Sequence, residues 1–344
     1  MITRCNGNDL IFLLGAGATV DACMPTVAKL TEELKNSLPT LRAYNGVQRP
    51  DFGEVFDLFE KYSGEDAKNY EKFFEWIQVL LKIQEPAFRK VIQTNMPHTQ
   101  IDAMSDLRLV IGAEIARLLS SRRVKPSYLA RLSNFLPNEG RLKVFTLNYD
   151  CCIEDACRAA GIDVTTGFDP ATKRWKPSIF EKSSQGINLY KLHSSLRWFP
   201  VRDKRLSQCK LTLMEFTPDK QQSSTNAFRI PKSPELILGP GPKNQPDDPF
   251  LTLLYEFRRV MLNAQSTVII GYGHGDPHIN GIIEDALDAG VFVLNVDSCK
   301  PSGKYSTTKN YKHLQSCAKS ALLNDLITFE MSKWHQSWKN STRE

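Results

Sequence analysis

The chain has 344 residues, enough for two modules or for one domain with a large insertion, and its 41% hydrophobic content can fill a packed core. Its 44 basic and 38 acidic residues leave a formal charge of +6 with no dense basic run, so direct nucleic-acid binding gains no support. No apolar run reaches the roughly 18 residues that span a bilayer, and the N-terminus has no signal-peptide pattern, so a cytoplasmic protein with reduced thiols is expected.

The first element is an apolar strand, Leu10 to Leu14, running into Gly15-Ala16-Gly17 and then a helix. Glycines in such a turn let backbone N–H groups approach a phosphate, and a helix N-terminus favours the same charge. The turn serves equally well as a strand-to-helix connection without a ligand. The full dinucleotide fingerprint is missing, because its third glycine would fall at Val20, and a hydride-transfer enzyme is disfavoured. Thr26, Leu30 and Leu34 continue the helical spacing, Pro25 splits off the first turn and Pro39 marks the stop.

Residues 40–140 carry apolar side chains at three- and four-residue spacing, as in Phe73, Trp76, Ile77, Leu80 and Leu81. This predicts a large helical insertion whose aromatic stripe is core. A second strand follows at Leu142 to Leu147, with Asn148-Tyr149-Asp150 as the turn and a helix ending at Gly161. A third covers Asn188 to Leu192 and ends at His193. In an open parallel sheet, residues just past the strand ends line the ligand crevice. Asn148, Asp150 and His193 thus join the glycine turn on one rim, although Asp150 also suits a helix cap and Asn148 a turn. Residues 197–249 read as a small irregular module with the loop GPGPKNQPDDP.

Helix and strand then alternate again. A helix at Pro249 to Ala264 precedes a strand at Ser266 to Ile270 and the turn GYGHGD, which holds Gly271, Tyr272 and Asp276. A helix from Pro277 to Ala289 leads to the strand Val291 to Val296, bearing Asn295 and followed by Asp297. The tail should add short helices and an edge strand at Leu326 to Phe329. The whole predicts an α/β, Rossmann-like parallel sheet in a single domain, residues 1–344. The eight cysteines form no C-x-x-C pair, so no zinc ribbon and no metal site are expected.

The segments LLGAGAT, TLNYD, KLHSSL, LILGPGPK, IIGYGHGDPHI and VLNVD, in that order and each after a strand, resemble the sirtuin-like superfamily. The forms TLNYD and GYG-x-x-D are similar to its bacterial antiphage branch, as in Thoeris and other defence-associated sirtuins. The deacylases' Gly-Ile-Pro-Asp-Phe-Arg pattern and paired zinc cysteines are absent. The resemblance implies hydrolysis of NAD⁺, the substrate, to nicotinamide and ADP-ribose without a metal. It implies that Gly15, Ala16 and Gly17 face the pyrophosphate, that Asn148 orients water or ribose, and that His193 is the general base. Asp150 would support them, Gly271, Tyr272 and Asn295 would hold the adenosine half, and Thr19, Asp150 and Asp276 are counted with the residues that bind NAD⁺. Ser194 stands where sirtuins usually have glycine. The branch also implies gating by a homo-oligomer or by a defence-system partner, a nucleotide-handling enzyme or an ATPase. The rival readings are an NAD-dependent deacylase or ADP-ribosyltransferase and a non-catalytic NAD⁺ or ADP-ribose sensor.

Overall fold

The computed structural model of the chain describes residues 10–92, 96–202, 211–216, 233–238, 248–299, 305 and 308–341. Seven strands form a parallel sheet. They are β1 (Leu10–Leu14), β2 (Arg141–Thr146), β3 (Val164–Thr165), β4 (Gly186–Lys191), β7 (Ser266–Ile270), β8 (Phe292–Asp297) and β9 (Tyr311–Gln315), in the spatial order β3-β4-β2-β1-β7-β8-β9. After β1 the chain builds outward on one side, through β2 and β4, and then crosses to build the other from β7. The reversal falls beside β1, where open parallel sheets form their ligand crevice.

Every residue of β1, LIFLL, is buried, as expected of a strand covered on both faces. Its side chains alternate between two cores. Leu10, Phe12 and Leu14 point into one with Leu142, Val144, Leu189, Val268 and Leu294. Ile11 and Leu13 point into the other with Phe145, Tyr190, Ile269 and Val293.

The first core is closed mainly by the helical insertion. Its helices are α3 (Asp51–Ser63), α4 (Tyr70–Ile83), α5 (Pro86–Ile92) and α6 (His98–Ser120). Phe52, Phe56, Phe59, Phe73 and Ile77 are buried there at helical spacing, and Phe56 meets Phe73 edge-on at 4.7 Å between ring centres. Short α1 (Gly17–Val20) and α2 (Val27–Ser37) precede the insertion, and α7 (Cys152–Ala159) follows β2. The split at Pro25 is observed, with Thr26 Oγ1 capping α2 by accepting from Lys29 N at 3.3 Å. Helices α8 (Phe250–Asn263) and α9 (Pro277–Asp288) close the second core.

Two expectations are corrected. The segment Leu326 to Phe329 is not an edge strand: it opens helix α11 (Leu326–Ser341), preceded by α10 (Ala318–Leu323), and the edge strand is β9. The run LITF is β-branched and apolar, but burial of Ile327 and Met331 at a four-residue spacing selects the helix. The module at 197–249 is not wholly irregular either, since β5 (Trp198–Arg202) and β6 (Leu211–Glu215) pair antiparallel. Most of the loop GPGPKNQPDDP, the Lys243 end of LILGPGPK, Cys5 and Cys209 lie outside the described residues.

Among the described residues no helix is long and apolar enough to cross a membrane. No group of three or more His, Cys, Asp or Glu among them could hold a metal ion.

Candidate functional site

The strand register builds the rim. Leu14 pairs with Thr146 and with Ile270, Thr146 with Lys191, and Ile270 with Val296, so these five residues form one row across the sheet. The ladder runs one step further. Leu147 N donates to Leu14 O, Leu192 N to Thr146 O, Gly15 N to Ile270 O and Gly271 N to Val296 O, at 2.9–3.0 Å. Gly15, Asn148, His193 and Gly271 therefore leave four strands at nearly one level.

The glycines on this rim meet each other. A Cβ on Gly15 would lie 2.6 Å from Gly271 O and 2.7 Å from Tyr272 Cα, and one on Gly17 would lie 2.7 Å from Gly271 Cα. Gly271 has φ +63°, and its Cβ would come within 2.3 Å of the Gly17 and Ala18 backbone. The two turns thus pack backbone to backbone, and this alone demands glycine. The N–H groups of Gly15, Gly17, Ala18 and Thr19 already donate to backbone carbonyls. The bare approach to a pyrophosphate read from the sequence is therefore not needed to explain these glycines.

Asn148, Thr19 and Asp150 form one buried network. Asn148 Nδ2 donates to Gly15 O at 2.9 Å and to Thr19 Oγ1 at 3.3 Å. Thr19 Oγ1 lies 3.0 Å from Asp150 Oδ2, to which it donates, and Asp150 Oδ1 accepts from Cys152 N at 3.0 Å at the start of α7. Burial lifts the Asp150 carboxyl above the usual carboxylate range, against the pull of the Lys191 charge. Lys191 is itself 1% exposed; its ammonium donates to the Asp150 carbonyl and to Glu154 Oε1, the latter at 3.2 Å. Burial likewise pushes the Cys151 thiol up to about 12, so it is no ready nucleophile.

His193 Nε2 lies 3.3 Å from Asp276 Oδ2, and both residues are buried. Asp276 is also the N-cap of α9, its Oδ1 accepting from His278 N at 2.9 Å and Ile279 N at 3.3 Å. Ser194 has φ +93°, in the left-handed region that favours glycine, and its hydroxyl donates to the Glu235 carbonyl. The Tyr272 hydroxyl lies 3.0 Å from the Asp276 carbonyl and 3.1 Å from Asp276 N, so it closes its own loop. Asn295 is fully buried; its Nδ2 donates to Tyr311 Oη at 2.9 Å, and its Oδ1 has no hydrogen-bond partner among the described residues.

Tyr149 was read from the sequence only as part of a turn. Its hydroxyl donates to Ile237 O at 2.6 Å and lies 3.4 Å from Glu71 Oε1 on α4, which ties the helical insertion to the loop of Asn148. Lys191 was read from the sequence only as the first residue of KLHSSL, with no role of its own; a lysine closing a strand whose other polar side chain is Asn188 alone is the signal that could have found it.

Residues 142–292 match the family described as SIR2-like domain. The matched segment holds Asn148, Asp150, His193, Gly271, Tyr272 and Asp276, and excludes β1, the helical insertion and Asn295. No curated protein is significantly similar in sequence to the chain. Among solved structures, a mutant Sir2 homologue with ADP-ribose is 14% identical, covering 95% of this chain and 93% of that one with a TM-score of 0.43. A Sir2 homologue–NAD complex is 12% identical over 91% and 86%, TM-score 0.37. Sir2 bound to acetylated peptide is 11% identical over 93% of each, TM-score 0.42.

Proposed function

We propose that the chain is an NAD⁺ glycohydrolase, cleaving NAD⁺ with water to nicotinamide and ADP-ribose. The observation that carries the reading is the pairing of Thr146 with Lys191. It sends Asn148 and His193 off neighbouring strands at one level, about 4.8 Å apart in strand spacing. The SIR2-like match over the segment containing both residues supports it.

In this reaction the ribose–nitrogen bond breaks and its electrons pass to the nicotinamide ring, which leaves neutral. The ring carries a positive charge beforehand, so no strong acid is required. Water adds to the oxocarbenium-like carbon and must lose a proton. The Asn148 amide NH₂ is engaged by Gly15 O and Thr19, which turns its Oδ1 into the group that would accept from water. His193 would take the proton. The unpartnered Asn295 Oδ1 is a buried acceptor suited to a hydroxyl or amine of the adenosine half.

Unrestrained NAD⁺ hydrolysis would exhaust the cell, so we assign the activity to a conditional effector, cytoplasmic and acting in antiphage defence. Gating would come from self-association or a partner protein on the helical insertion, whose Glu71 touches Tyr149 beside Asn148. The test of the activity is chromatography of nicotinamide and ADP-ribose after incubating the purified chain, at high protein concentration, with NAD⁺. Asn148→Ala and His193→Ala should each lower kcat about 10²-fold or more with NAD⁺ affinity nearly kept, and the double variant should lose little more. A folded His193→Ala protein with wild-type turnover overturns the assignment.

A further inference from the structure

We infer that Asp276 is the positioning residue for His193, one carboxylate that both caps α9 and orients the imidazole. This rests on the glycohydrolase reading for its kinetic consequence. The sheet order puts β2 and β1 between β4, which leads to His193, and β7, which leads to Asp276. Three strand spacings amount to about 14 Å. The two connections must therefore converge across the ends of β2 and β1 for His193 Nε2 to lie 3.3 Å from Asp276 Oδ2.

The carboxylate divides its oxygens. Oδ1 is pinned by two N–H groups of the first turn of α9, which fixes the side-chain rotamer. The positive end of that twelve-residue helix favours the ionised form. Oδ2 is left directed at His193. An anionic acceptor at Nε2 keeps the proton there, holds the ring plane, and stabilises the imidazolium formed when the ring accepts the water's proton. Tyr272 supports the arrangement, since its hydroxyl brackets the Asp276 backbone from both N–H and carbonyl. The GYG-x-x-D segment thus places the acid as well as forming the turn.

The two duties separate by substitution, because asparagine caps a helix about as well as aspartate and alanine does not. Asp276→Asn should keep the wild-type melting temperature while kcat falls on the order of 10²-fold; Asp276→Ala should lose melting temperature as well. Nitrogen-15 NMR of the imidazoles in full-length protein supplies a readout that needs no activity, the His193 signal being identified by its loss in His193→Ala. The wild type should show His193 as the Nε2–H tautomer, and Asp276→Asn should shift both ring nitrogens. An Nδ1–H tautomer in the wild type, ring signals unmoved by Asp276→Asn, or wild-type kcat in Asp276→Asn overturns the inference. A wild-type chain that forms no nicotinamide defeats the glycohydrolase reading instead, and the tautomer measurement still decides the role of Asp276.

Discussion

Gly15→Ala separates two reasons for a glycine on this rim. The added methyl would sit 2.6 Å from Gly271 O and 2.7 Å from Tyr272 Cα, both backbone atoms at the end of a buried strand. Neither can move without disturbing the Gly15 N–H to Ile270 O bond or the Gly17 N–H to Gly271 O bond, at 3.0 and 2.8 Å. Overpacking of this kind costs about 1–3 kcal/mol. Gly271→Ala adds the left-handed strain of φ +63°, about 1–2 kcal/mol more, for a total of about 2–5 kcal/mol. Gly273 has open space around its would-be Cβ and serves as the control, so Gly273→Ala should melt with the wild type. Thermal and denaturant unfolding of the three variants should rank Gly271→Ala as least stable, then Gly15→Ala, then Gly273→Ala. A Gly15→Ala protein with wild-type stability and abolished NAD⁺ binding would refute the loop-packing account and restore the bare-backbone one.

The Asp150 carboxyl is raised by burial, so the folded state holds its proton more tightly than the unfolded chain, and its contribution to stability is lost as pH rises from about 3.8 through the folded value. Asp150→Asn should therefore gain stability over the wild type near pH 7, where its amide can still accept from Cys152 N, and lose that gain near pH 3; an Asn variant less stable at pH 7 contradicts this. If turnover is gated by association, the specific NAD⁺ consumption rate should fall on dilution in step with dissociation followed by light scattering. Full rates in a dilute, partner-free monomer contradict the gating.

The strands and their punctuation were legible in the chain itself. LIFLL, LKVFTL, STVII and VFVLNV are mainly apolar runs too short for helices and closed by glycine, asparagine or aspartate, and the insertion announces itself by helical spacing. Once the sheet is parallel, strand ends must share a rim, so Gly15, Asn148, His193 and Gly271 could be placed together from order alone. Register, by contrast, is a property of pairs. Only the pairing of Leu14 with both Thr146 and Ile270, and of Thr146 with Lys191, sets those four residues level. Partners distant in sequence left no local trace either: in the sequence Asp276 only closes the turn GYGHGD, whereas in the fold its Oδ1 caps the next helix and its Oδ2 meets a histidine that only the sheet order brings near. YKHLQ was missed as a strand because it lies at a half-buried edge with no clean alternation, and it is held there by β8. LITF was misread because strand propensity is weak beside the burial of Ile327 and Met331 against a core assembled from the other end of the chain. Local periodicity is written in the order of residues, whereas the choice of neighbour is made by burial and hydrogen bonding across the sheet, energies that exist only once the distant segments are in place.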